Sequence, residues 1–259
     1  MHIKELFDLR GRIALVAGGA GKYGRPISEA LAEAGATVII ASRNKKKCRE
    51  LAKEFSEREL KVYGEKLDQS DESSAKELLI RIKKEFGIPR ILVNCAVHRP
   101  MKRHYDDDIS AWDESMSVNA RGLFIMCRVF GNAMAKEGKG SIINIASIYG
   151  IVAPDMKIYE GTNMGTEPDY PYNKGGMIMY TKYLASYYAK SGVRVNCITP
   201  GGMFANQVEP FLSRYCVKTL LGRMAQSSDI KGAVVFLASD ASSYATGINL
   251  IIDGGLSII

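Results

Sequence analysis

Apolar residues fall along the chain in short unbroken runs, each followed by a stretch in which they recur every three or four positions. The runs Arg12–Ala17, Thr37–Ala41, Val62–Leu67, Ile91–Cys95, Ile142–Ile145, Arg194–Ile198 and Asn249–Ile252 read as seven strands. They are continuous and β-branched rather than alternating, the pattern of strands covered on both faces. The spacing between them predicts helices over Ile27–Ala34, stopping at Gly35, then Lys45–Phe55, Ser70–Phe86, Tyr170–Ser191 and Asp229–Ala238. Ser70–Phe86 carries acid at its start and base at its end, as the helix dipole favours. Ser110 with Asp113 reads as a capping box opening a long helix that runs to about Lys136. Strand-helix alternation implies an α/β fold, a Rossmann-like doubly wound parallel sheet of seven strands with helices on both faces. With no linker, repeat or low-complexity segment, residues 1–259 are expected to form a single domain.

Composition narrows the class. The chain is 46% apolar and 24% charged, which places it among globular rather than disordered proteins. No apolar run approaches the ~18 residues of a membrane span, and the polar start Met1–Glu5 lacks the apolar core of a secretion signal. The five cysteines are scattered with no C-x-x-C pair, and read as reduced thiols of a cytoplasmic protein. The three histidines show no ligand spacing, so no catalytic metal is expected. The net charge of +7 reads either as a lysine-rich solvated surface, as in Lys45–Lys47, or as attraction to anionic ligands such as phosphates. No nucleic-acid recognition motif accompanies it.

The first strand runs into Gly18-Gly19-Ala20-Gly21-Lys22-Tyr23-Gly24 and then a helix. Gly19-x-Gly21-x-x-Gly24 fits the dinucleotide fingerprint, in which glycines let the backbone approach a pyrophosphate at a helix N-terminus. At the end of the second strand, where an acid would hold the ribose of NAD, the chain reads Ser42-Arg43-Asn44. Arg43, helped by Ser42 and by Lys22 from the glycine turn, suits a 2′-phosphate. The cofactor is therefore expected to be NADP, with NAD the alternative should Arg43 only stack on adenine and Lys22 point to solvent.

Further along, Tyr170 and Lys174 lie one helical turn apart on one face. A phenol loses its proton near pH ~10, and a fixed cation beside it lowers that value. Such a tyrosine can exchange a proton with an alcohol or carbonyl. The pair alone also fits a solvated helix face; Ser147 and Asn119 upstream give it weight.

These pieces together resemble the short-chain dehydrogenase/reductases over essentially the whole chain. The matching segments are Gly18–Gly24, Leu67-Asp68, Asn94-Cys95-Ala96, Val118-Asn119, Ile145-Ala146-Ser147, Tyr170-Pro171-Tyr172-Asn173-Lys174, Pro200-Gly201-Gly202 and Ile252–Gly255. The resemblance implies Tyr170 as general acid/base, Lys174 tuning it and bonding the nicotinamide ribose, Ser147 bonding the reacting oxygen, and Asn119 holding a relay water. It also implies cofactor contacts from Gly18, Gly19, Gly21, Lys22, Tyr23 and Gly24, from Ser42, Arg43, Asp68, Asn94 and Ala96, and from Pro200, Gly201 and Met203.

The chain departs from the family pattern in three places. Lys22 stands where a second glycine is usual. Ala205 stands where a threonine often touches the nicotinamide, leaving Asn206 or backbone to serve. Ser147 and Tyr170 lie 23 positions apart, a longer gap than usual, through an insertion at about 153–169. Its Asp155, Lys157, Tyr159, Glu160, Thr162 and Asn163 suit a polyol or sugar better than an apolar substrate. His98, Arg99, Lys102, Arg103 and His104 follow the fourth strand and either meet a substrate anion or form an exposed loop partly neutralised by Asp106–Asp108.

Phe7–Gly11 is similar to the opening of gluconate 5-dehydrogenase-type members. Tyr149–Asp155 and Ile158–Thr162 are similar to bacterial surface-sugar oxidoreductases. The expected activity is an NADP-preferring interconversion of a secondary alcohol and a ketone on a sugar, sugar acid or sugar phosphate. The alternatives are a 3-oxoacyl carrier-protein reductase and a non-catalytic NADP-binding sensor or scaffold. The resemblance implies a homotetramer, and the apolar tail Leu256–Ile259 is compatible with burial against a partner.

Overall fold

In the computed structural model, which describes residues 2–259, the strands are β1 (Ile13–Ala17), β2 (Thr37–Ser42), β3 (Val62–Lys66), β4 (Ile91–Asn94), β5 (Gly140–Ile145), β6 (Val193–Pro200) and β7 (Asn249–Ile252). They form one seven-stranded sheet in the order β3-β2-β1-β4-β5-β6-β7, with every pairing parallel. The helices are α1 (Ile3–Leu6), α2 (Gly24–Glu33), α3 (Lys45–Ser56), α4 (Glu72–Glu85), α5 (Ile109–Met116), α6 (Gly122–Lys136), α7 (Asp169–Tyr188), α8 (Phe211–Val217) and α9 (Lys231–Ala238). The period of two in the strands divides the core between the sheet's faces. Ala14 and Val16 pack with Ile27, Leu31 and Phe55 of α2 and α3 and with Val234 and Leu237 of α9. Leu15 and Ala17 pack with Leu78 and Ile82 of α4, Phe130 of α6 and Leu184 of α7.

The strand order reverses between β1 and β4, which opens a crevice beyond their C-terminal ends. The backbone comes very close there. Gly18 has φ +80°, and a Cβ on it would lie 2.6 Å from the Ala96 backbone. A Cβ on Gly24 would lie 2.1 Å from the Gly18 carbonyl oxygen. Glycine at both positions lets α2 start directly against the turn.

The long helix expected from Ser110 is built differently. Asp108 is the N-cap, accepting from the Ser110 backbone N–H at 2.8 Å, so the capping box does not form. The Asp108 carboxylate satisfies one of the free N–H groups of the first turn. The helix is then interrupted over Ser117–Arg121 by a π turn, which separates α5 from α6. Such insertions distort the helix locally and occur often at functional sites. Helix α8 shares the gap between β6 and β7 with α9.

The close approach at Gly24 yields a paired prediction. Gly24→Ala should lower stability by about 1–3 kcal/mol through overpacking. Gly232→Ala, in α9 with nothing within 4 Å of a new Cβ, should be neutral or stabilising by up to about 1 kcal/mol. Urea unfolding of both variants checks this, and equal effects would contradict the packing account.

Candidate active site

A cavity of about 580 Å³ lies along the C-terminal ends of β1, β2, β4, β5 and β6. Gly18, Gly21, Lys22 and Tyr23 form one wall, and Ser42, Arg43 and Asp68 close one end. Ala96, Pro200, Gly201 and Met203 line it further along, and Ser147, Tyr170 and Lys174 stand together at the other end. Four expected site residues are absent from its walls. Gly19 packs toward β2, where a Cβ would lie 2.6 Å from Ile40 Cγ2, and Gly24 packs on the turn itself. Asn94 turns into the core, donating to Asn144 Oδ1 at 2.8 Å. Asn119 is buried in the π turn.

The catalytic end is fixed by α7 and β5. Lys174 is only 5% exposed, and its ammonium donates to the carbonyl of Ile145, the last residue of β5, at 2.6 Å. A buried charge is tolerated only with such partners. Lys174 Nζ lies 5.7 Å from the centre of the Tyr170 ring, and the Arg99 guanidinium lies over the same ring at 4.5 Å. Ser147 Oγ accepts from the Tyr149 backbone N–H at 3.2 Å, which holds the hydroxyl at the end of β5. Burial and the neighbouring Tyr159 phenol push the Tyr149 pKa up, so Tyr149 remains a neutral hydrogen-bonding group.

Asn119 belongs to a buried polar network not foreseen from the sequence. Its Oδ1 accepts from the His98 N–H at 2.9 Å, while Nδ2 donates to the His98 carbonyl at 2.6 Å and to Ser115 Oγ at 3.0 Å. Ser115 in turn donates to the fully buried Asp169 carboxylate, and Asn173 donates to Ser115 Oγ at 3.3 Å. The network ties the π turn and the loop after β4 to the first turn of α7, next to Tyr170.

The opposite end is cationic. From the sequence Lys22 is expected beside Arg43. Instead its ammonium, its pKa lowered by burial, donates to the Met203 carbonyl at 3.4 Å on the segment after β6. Lys47, read from the sequence as part of a solvated run, lines the cavity near Arg43 at the start of α3. Lys45 and Lys46 pair with Glu65 and Glu50. Arg43 is braced by His98: His98 Nε2 lies 2.7 Å from Glu114 Oε1, and Nδ1 lies 3.4 Å from Arg43 Nη2. Asp68 accepts from the Ser70 hydroxyl at 2.6 Å, which orients it at the end of β3. Where Asn206 was a candidate, the cavity instead receives Gln207, whose Nε2 donates to the Met203 carbonyl at 2.8 Å.

Asp155, Lys157 and Glu160 of the insertion turn away from the cavity, whereas Glu167 and Asp169 are buried. Asp155 pairs with Lys218 at 2.5 Å. Arg214 of α8 donates to the carbonyls of Lys157 and Glu160 at 3.1 and 2.6 Å. Ile158 and Tyr159 pack with Phe211, Tyr215 and Met224 in a small core. Tyr159, Met164, Gly165 and Thr166 face the cavity, and the Tyr159 and Tyr149 hydroxyls bond each other at 2.6 Å. Asp155, Lys157, Glu160, Thr162 and Asn163, expected over the substrate, do not line the cavity. Of the basic loop after β4, only His98 and Arg99 do. Lys102 donates to the Arg99 carbonyl, Arg103 pairs with Asp107, and His104 pairs with Glu167.

The buried network gives a prediction at once. Ser115→Ala removes the oxygen on which the Asn119 and Asn173 amides converge, and should cost about 1–3 kcal/mol. An unchanged urea midpoint would show that the network carries no stability.

Residues 21–257 match the family described as enoyl-(acyl carrier protein) reductase. The chain is 32% identical to a D-threitol dehydrogenase of Mycolicibacterium smegmatis, over 97% of this chain and 95% of that protein. It is 30% identical to a gluconate 5-dehydrogenase of Gluconobacter oxydans, over 100% of this chain and 99% of that one. Among solved structures, a gluconate 5-dehydrogenase from Burkholderia cenocepacia in complex with NADP and tartrate superposes with a TM-score of 0.90 at 29% identity, covering 100% of both chains.

Proposed function

The chain belongs to the short-chain dehydrogenase/reductase family, and from that premise we propose that it is an NADP-preferring oxidoreductase interconverting a secondary alcohol and a ketone on a sugar, sugar acid or sugar phosphate. The observation that carries this reading is the convergence of Ser147, Tyr170 and Lys174 on one end of a cavity whose other end is a glycine turn ringed by Arg43, Lys47 and Lys22.

The residues fit a dinucleotide. Gly18 and Gly24 remove the Cβ atoms that would block the turn, so backbone N–H groups and the N-terminus of α2 can meet a pyrophosphate. Arg43 and Lys47, at the start of α3, would hold a 2′-phosphate, and Lys22 would add positive charge for the pyrophosphate. When bound, the nicotinamide supplies or accepts the hydride. Tyr170 gives the proton to the substrate oxygen in reduction and takes it in oxidation. Ser147 donates to the same oxygen, stabilising the charge that develops there. Lys174 adds a fixed positive charge behind the phenol. Asn119, locked between His98 and Ser115, holds the π turn in place beside them and is assigned the relay.

The substrate end bears the hydroxyls of Ser147, Tyr149, Tyr159 and Thr166, which suit a polyhydroxylated ligand. A hydroxy acid, tartrate, is bound by the Burkholderia neighbour. Exposed Phe124, Met179, Tyr183 and Tyr187 on α6 and α7, with Ile258 and Ile259 at the tail, support assembly into a homotetramer through those surfaces. No helix among the described residues is long and apolar enough to cross a membrane. The free cysteines there suit a reducing, cytoplasmic location.

Two substitutions test the roles. Tyr170→Phe should lower turnover by about 10²–10⁴-fold while NADPH affinity, read by fluorescence titration, stays nearly intact; undiminished turnover would refute the assignment. Arg43→Asp should weaken NADPH binding and leave NADH binding little changed or improved. If the ratio of the two dissociation constants did not move, the phosphate site would lie elsewhere.

A further inference from the structure

Arg99 stands at the substrate end of the cavity, and the proton and hydride chemistry makes no use of it. Its guanidinium lies 4.5 Å from the centre of the Tyr170 ring. Its Nη2 donates to the Gly165 carbonyl at 3.3 Å and Thr166 Oγ1 at 3.4 Å, both on the insertion. The cation is thus held between the reactive phenol and the lid-like segment. Among the described residues no carboxylate pairs with it, although its loop neighbours His98, Arg103 and His104 each face one. The one carboxylate on the cavity walls, Asp68, lies at the opposite end beside Arg43. The walls around Arg99 carry hydroxyls from Ser147, Tyr149, Tyr159 and Thr166.

A guanidinium presents a planar fork that matches a carboxylate through two parallel hydrogen bonds. Here it lines a hydroxyl-bearing space and packs over the ring of the tyrosine that exchanges the substrate proton. We infer that the substrate is a hydroxy acid of the aldonate type, bound through its carboxylate by Arg99 while one of its secondary alcohols meets Tyr170 and Ser147. This deepens the oxidoreductase reading and rests on it. It also gives the insertion a purpose: Gly165 and Thr166 hold the guanidinium in place through its Nη2, leaving Nε and Nη1 for the ligand.

The test compares an aldonate with the alditol of the same chain length, which differs only in carrying CH₂OH for the carboxylate, and with the corresponding alditol phosphate. Each is oxidised with NADP by the unaltered protein, by Arg99→Met and by Arg99→Lys. The unaltered protein should favour the aldonate over the alditol in kcat/KM by about 10- to 100-fold, the range of a hydrogen-bonded charge pair. Arg99→Met should erase that preference through aldonate KM, costing the aldonate at least about 10-fold more in kcat/KM than the alditol. Arg99→Lys, with the charge but not the fork, should recover part of it. Equal losses for aldonate and alditol would make Arg99 a support for the Tyr170 ring and overturn the inference. A preference for the alditol or its phosphate would overturn it too, and leave the oxidoreductase reading standing. Failure to oxidise any secondary alcohol despite normal NADPH binding would overturn both.

Discussion

One buried hydrogen bond organises the reactive end of this molecule: the Lys174 ammonium on the terminal carbonyl of β5. It joins the long helix α7 to the sheet where the strand stops. Tyr170 sits one turn earlier on the same helix face, and Ser147 sits two residues beyond the bonded carbonyl. A single contact thereby sets the relation between the phenol, the hydroxyl and the fixed charge. Dissolving it would strand a cation in a nearly dry site, so the contact is costly to break and the geometry is held. The buried Asn119–Ser115–Asp169 network braces the same helix at its first turn.

The charge of the chain is arranged around that centre. Away from the cavity many cations are matched: Arg25 with Glu54, Arg58 with Glu29 and Glu33, Lys231 with the same two glutamates, and Arg128 with Glu72. Exposed pairs of this kind add little stability each, but they cancel field. Arg43, Lys47, Lys22 and Arg99 pair with no carboxylate among the described residues and all border one crevice. With Asp68 the one carboxylate on its walls, the crevice keeps a cationic excess that concentrates potential and draws anions. Part of the positive net charge therefore gathers at the ligand-binding crevice, while lysines such as Lys53, Lys61 and Lys83 spread the rest over the surface.

Local chemistry made much of this legible in advance. Strands buried on both faces announce themselves as unbroken β-branched runs, and the Gly18–Gly24 turn and the Tyr170–Lys174 spacing place chemistry on defined elements. What escaped depends on partners distant in sequence or on which way a side chain turns. Asn94 sits at a strand end that faces the crevice, yet its side chain is drawn to Asn144 in the adjacent strand. The insertion is polar in composition, yet its Asp155 is taken by Lys218, its backbone carbonyls are held by Arg214, and its aromatic Tyr159 turns inward. Lys47 looked like one of three solvated lysines until its neighbours were paired off. The Glu114–His98–Arg43 chain joins three separate segments and has no local signature.

The most direct test is a crystal structure of the protein with NADP and a hydroxy-acid substrate bound together. The account predicts one substrate oxygen within about 2.6–3.2 Å of both the Tyr170 hydroxyl and Ser147 Oγ, Lys174 still on the Ile145 carbonyl, and the 2′-phosphate against Arg43 and Lys47. A Tyr170 hydroxyl turned out of the crevice, or a substrate oxygen reached by neither residue, would contradict it.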